Sequence, residues 1–170
     1  MELKGLDKID NALNAWLIKY GFKSRVHGVD SDFFWYHDNT IGYTFFFPEE
    51  AIKPWTNTLN ELGCNLIIDT FYSVFLHECF HGETYWNIPE EVRNECYKTK
   101  ELMIHDPSSF DDLYWTYYHL PVELEATAAA VKFMNTNLKA VEELVDTVGA
   151  TIREFYEIND VVDEDLFDFS

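Results

Sequence analysis

The sequence predicts an α+β fold, with helices packed on a small antiparallel sheet. Three observations lead there. An apolar stripe of helical period opens the chain. Two short runs rich in aromatic and β-branched residues then flank a turn cluster near residue 39. Beyond residue 65 the apolar residues return to helical spacing, broken by proline and glycine punctuation.

Residues 6–20 set Leu6, Ile9, Leu13, Leu17 and Tyr20 on one face, and Gly21 follows as a stop signal. The runs DFFWYH and IGYTFFF flank Asp38, Asn39 and Thr40 and read as a hairpin, with residues 24–29 as a third strand. Pro48 ends the sheet. Residues 56–62 read as a short helix closed by Gly63. Asn65 then caps a long apolar helix, NLIIDTFYSVFLHECFH, stopped by Gly82. Pro89 and two glutamates open a helix over residues 89–104. A turn-rich loop over 105–112 leads to a short helix at 111–119. Pro121 starts a helix to about residue 135, and a last one spans about 138–156.

The length fits one domain, placed at residues 1–158. The end, EINDVVDEDLFDFS, is acidic and aperiodic, so residues 159–170 read as a tail, either a solvating end or a docking segment anchored by Leu166, Phe167 and Phe169. With 31 acidic against 12 basic residues the net charge is −19. That surface repels nucleic acid and anionic membranes. It suits solubility alone or a basic protein partner, such as a nucleic-acid-binding regulator. The three cysteines fit no zinc ribbon or paired framework. The opening segment is charged throughout and reads as an amphipathic helix, not a signal peptide. No apolar run is long enough for a bilayer. A soluble, reduced, cytoplasmic protein is expected.

The motif that carries chemistry is FLHECFHGE, residues 75–83. Residues i and i+4 of a helix share a face, so His77 and His81 can point at one ion. Zinc takes imidazole nitrogen at about 2.0–2.1 Å. Glu78 lies one position on, swung beside the ion, where a general base for a metal-activated water belongs. The simpler alternative is two half-exposed histidines satisfied by the helix C-terminus. Catalytic zinc sites use three protein ligands. A metzincin third histidine would need Gly at Thr84 and His at Asn87, and both differ. His105, His119, Glu123 and Glu125 remain.

A helix, LPVELEATAAAVKFM, holds two of these, and its small residues Ala126, Ala128, Ala129 and Ala130 let another helix approach closely. HECFH followed by PVELEATAAA resembles the gluzincin arrangement, most of all the small ImmA/IrrE-type metallopeptidases. The resemblance covers roughly residues 77–130. It implies a minimal zincin-like fold, with the small sheet against the active-site helix, and a zinc ion held by His77, His81 and Glu123. It also implies Thr127 beside a ligand histidine, where relatives carry an acidic or amide residue. Glu125 ranks second as ligand, because its i+4 residue, Ala129, has no hydrogen-bonding group.

Tyr117, Tyr118, His119 and His105 precede Glu123 and are candidate donors to a transition-state oxyanion, although packing or surface roles explain each more simply. His37 reads as exposed and Cys79 as core. By fold analogy, residues 41–47 are the candidate edge strand for an extended substrate. The expected function is zinc-dependent hydrolysis of a peptide bond in an intracellular protein, with Glu78 as base. The competing class is an acidic binding or inhibitor protein that mimics nucleic acid, its motif a structural or relic metal site. A zinc hydrolase of a non-peptide bond is a third.

Overall fold

The computed structural model describes residues 3–105 and 110–160. Among them the fold is α+β, with seven α-helices and a three-stranded mixed sheet. The chain divides into two compact units. One is built from its two ends, up to Phe46 and from Asn137, the other from Phe47–Thr136.

In the first unit, α1 (Leu6–Lys19) buries Ile9, Leu13, Trp16 and Leu17. It stops at Gly21, whose φ of +77° glycine adopts without strain. Three strands follow: β1 (Arg25–Val29), β2 (Trp35–His37) and β3 (Thr40–Tyr43). The hairpin forms as the pattern predicts, with β2 antiparallel to β3. Its turn is two residues long. Asp38 and Asn39 hold φ of 48° and 63°, left-handed values that short polar side chains tolerate. Gly42 is required for another reason: a Cβ there would lie 2.1 Å from the Trp35 indole that covers it. Two expectations are corrected. The sheet is mixed, because β1 runs parallel to β3. The order is β1-β3-β2, so β3 is central and paired on both sides rather than an edge, and residues 44–47 of the expected edge strand lie outside the sheet.

The helix α7 (Leu138–Asn159) packs on α1, where Trp16 Nε1 donates to the Ala140 carbonyl at 2.8 Å. It runs three residues further than the periodicity suggested. Asn159 Nδ2 donates to the Lys4 and Phe155 carbonyls, and its Oδ1 accepts from the Lys4 N–H. Residues 161–170, with Leu166, Phe167 and Phe169, lie outside the described residues.

In the second unit, α2 (Glu49–Glu61) begins seven residues before the predicted start. Pro54 sits in its second turn, where the missing N–H gives up one bond, and Glu49 and Glu50 favour the N-terminus. The helix ends in a Schellman motif at Gly63, φ +79°, closed by Cys64 N–H to the Leu59 carbonyl and Gly63 N–H to the Asn60 carbonyl. Residues 65–69 carry no helix, and the next one, α3 (Thr70–Thr84), is preceded by Asp69. Asn65 is therefore not its cap; its N–H donates to Asn135 Oδ1 instead. Nor does Gly82 stop α3, which continues to Thr84 and into a 3₁₀ turn at Tyr85–Asn87. Then come α4 (Glu90–His105), α5 (Phe110–Tyr118) and α6 (Pro121–Thr136). The principal contact of α3 within this unit is α6. Ala126 and Ala130 are wholly buried on α6, small enough for the close approach the sequence implied. No described helix is long and apolar enough to cross a membrane.

Candidate metal centre

The HECFH segment falls in the middle of α3, and its polar side chains are buried with the apolar ones. His77, Glu78 and His81 are 5%, 7% and 7% exposed. Burying three titratable groups is costly unless each is paired. Helical spacing stacks the two imidazoles, with ring centroids 4.5 Å apart and planes at 78°. One ligand-type atom from each of the three residues falls within 4.8 Å of the others.

Glu123 completes the group. It projects from the first turns of α6, which the alanine seam holds against α3. Its Oε2 lies 2.8 Å from His77 Nε2 and 2.9 Å from His81 Nε2. Three donors on a tetrahedral zinc ion, with bonds near 2.0–2.1 Å, stand about 3.3 Å apart. The Glu123 oxygen thus already lies somewhat closer than that spacing to each imidazole nitrogen.

Thr127 Oγ1 lies between two partners, His77 Nδ1 at 2.8 Å and the Glu123 carbonyl at 2.9 Å. When the hydroxyl donates to the carbonyl, it accepts from Nδ1–H, and Nε2 is the His77 atom left for a cation shared with the Glu123 carboxylate, either a proton or a metal ion. The chemistry of this donor set fits zinc.

Electrostatics agree. Burial raises the Glu78 carboxyl above its ordinary range, although the His77 and His81 charges oppose this. Burial also works against a charged His81, but the adjacent Glu123 outweighs it and the imidazole is pushed up. Glu123 feels the same burial, yet His81 and His77 hold it well below the usual carboxylate value.

Two aromatic residues complete the surroundings. Trp55 of α2 sets its ring edge-on to His77, centroids 5.5 Å apart, and is fixed by Nε1 donating to Ser73 Oγ at 2.9 Å. Tyr117 of α5 donates its hydroxyl to Glu123 Oε1 at 2.9 Å. Burial raises the Tyr117 phenol well above its usual value, so it keeps that proton.

The structure thus brings together His77, Glu78, His81, Glu123 and Thr127, and leaves the other candidates elsewhere. Glu125 is exposed. His105 is exposed and pairs with Glu101. His119 stacks on Trp115 and meets Glu61. Tyr118 donates to the Ala51 carbonyl. Cys79 is fully buried, and His37 is exposed at the end of β2. Sequence reasoning missed Trp55, for which no motif or spacing gave a signal. It weighed Tyr117 as an oxyanion donor or as packing, not as a partner of Glu123. Compared with family models, curated proteins and solved structures, the chain matches none.

Proposed function

We propose that this protein is a zinc-dependent metallopeptidase of gluzincin type, in which His77, His81 and Glu123 hold the ion and Glu78 is the general base. The observation that carries the reading is the buried convergence of His77 Nε2 and His81 Nε2 on one carboxylate oxygen, Glu123 Oε2, at 2.8 and 2.9 Å. The pairing of α3 with the glutamate helix α6 supports the two-helix part of such a site, one helix carrying HECFH and the other the third ligand. Three free cysteines suit a reducing, cytoplasmic setting. The charge of −19 suits a basic protein substrate, such as a nucleic-acid-binding regulator.

A bound zinc ion supplies a Lewis acid that polarises a carbonyl and acidifies a water molecule. His77 and His81 present neutral Nε2 atoms to it from successive turns. Glu78, beside them with its carboxyl raised by burial, takes up the proton of the attacking water and returns it to the leaving amine. The low exposure of all four residues keeps bulk water from competing.

The test is metal analysis of the full chain with two variants. About one zinc per chain is expected, lost in His77→Ala with His81→Ala. Glu78→Gln should keep zinc and fold but lose at least about a hundredfold in hydrolysis of a mixed peptide library. Gently purified protein with no zinc, and no uptake on adding it, overturns the reading. Full biological effect in Glu78→Gln would instead make this an acidic binding protein with a structural metal.

A further inference from the structure

We infer that Tyr117 is the positioning residue that separates the tasks of the two Glu123 oxygens, holding Oε1 so that Oε2 alone meets the imidazoles. This rests on the metal reading above.

A carboxylate can bind an ion through one oxygen or both, and rotation of its terminal torsion interconverts the two. Here the torsion is fixed from both sides. Oε2 is the atom shared by His77 and His81, and Oε1 accepts the Tyr117 hydroxyl at 2.9 Å. For both oxygens to face the ion, Oε1 would have to leave that hydroxyl. Glu123 is 6% exposed, so water cannot readily replace the lost donor, and the bond is correspondingly costly to break.

Tyr117 is itself held. Lys100 of α4 sets its ammonium 5.2 Å from the Tyr117 ring centroid, and the Tyr118 ring stands at 5.7 Å. His77 is oriented by Thr127, which shares α6 with Glu123. Glu123, by contrast, is oriented from a different helix, α5. The hydroxyl has one proton, and it is committed to Oε1. That commitment removes Tyr117 from the oxyanion-donor role the sequence suggested.

The experiment uses the full chain as wild type, Tyr117→Phe and Tyr118→Phe. Zinc affinity is read by competition with a chromophoric chelator, and coordination by the visible d–d band of the cobalt(II)-substituted protein. Its intensity falls as coordination number rises. Tyr117→Phe is expected to lose about tenfold or more in zinc affinity and to show a weaker band. Tyr118→Phe, which also removes one phenol hydroxyl but not one on Glu123, is expected to match wild type. Hydrogen exchange of wild type adds a measurement independent of the variant's folding: zinc should raise protection in α5 through Glu123 and Tyr117. Wild type that binds zinc, with Tyr117→Phe equal to it in affinity and spectrum, overturns this inference alone. So does an equal loss in Tyr118→Phe, or zinc binding with no change in α5 protection. Wild type that binds no zinc overturns the metal reading itself.

Discussion

Two glutamates in this molecule have nearly the same partners and opposite circumstances. Glu143 on α7 accepts from the Tyr20 hydroxyl through one oxygen and meets Lys19 Nζ at 2.6 Å through the other. Glu123 on α6 accepts from the Tyr117 hydroxyl through one oxygen and meets two imidazole nitrogens through the other. Glu143 lies toward solvent beside a permanent cation, and the Lys19 hydrogen bond lowers its pKa. Glu123 is buried, and its nitrogen partners are cationic only if something supplies the charge. The comparison teaches that a tyrosine and a nitrogen around a carboxylate do not define a site. What marks the second cluster is a buried negative charge with no built-in counter-ion, which must take up a proton or a metal.

The sharpest way to break the comparison is to remove each glutamate. Glu123→Ala is expected to lower zinc affinity by about a hundredfold or more in a chelator competition, while Glu125→Ala leaves it unchanged. Glu143→Ala should alter zinc binding not at all and shift the melting temperature only slightly, because exposed ion pairs contribute little. Equal zinc loss on replacing Glu125 would move the ligand and undo the parallel.

Acidity sharpens it next. His81 is pushed above its usual pKa, so its contribution to the metal-free fold is present at low pH and lost as pH rises through the raised value. Glu123 is depressed, so its contribution is present above the ordinary carboxylate range and lost as pH falls through the lowered value. Metal-free stability should therefore peak between those limits. Zinc must displace the shared proton, so zinc affinity should fall as pH drops through the raised His81 value. Competition titrations across mildly alkaline to mildly acidic pH check this. A flat profile would mean that no proton occupies the centre.

A smaller effect is expected at Thr127. Thr127→Val removes the acceptor on His77 Nδ1 and should lower zinc affinity about tenfold, with Thr127→Ser restoring most of it. Isothermal titration of both variants measures it. The smallest effect belongs to Lys19→Met, a slight fall in melting temperature that raised salt abolishes, since salt screens an exposed pair and hardly touches a buried one.

Much of this was legible in the sequence. The spacing of His77 and His81 needs only helical geometry, and Ala126 and Ala130 announced the close helix pair that delivers Glu123. The hairpin turn and α1 followed from local chemistry as well. The failures have physical reasons. The helix expected at residues 56–62 starts at Glu49, with Pro54 in an early turn where the lost bond is tolerable. Asn65 is as good a cap as Asp69 on local grounds, and only its tertiary bond to Asn135 decides against it. The parallel pairing of β1 depends on a connection whose direction no periodicity records. Trp55 and Tyr117 reach the centre from other helices, so no spacing within one element points to them.

The division of the chain has a consequence for synthesis. The second unit is one uninterrupted stretch, Phe47–Thr136, while the first needs both ends of the chain. A ribosome therefore completes every candidate ligand before α7 exists. At about 5–20 residues per second, the 118 residues between Lys19 and Leu138 leave the α7 side of α1 waiting roughly six seconds or more for its partner helix. During that interval α1 can pack on β1 but not yet on α7, so part of the face that buries Ile9, Leu13, Trp16 and Leu17 in the finished fold stays uncovered.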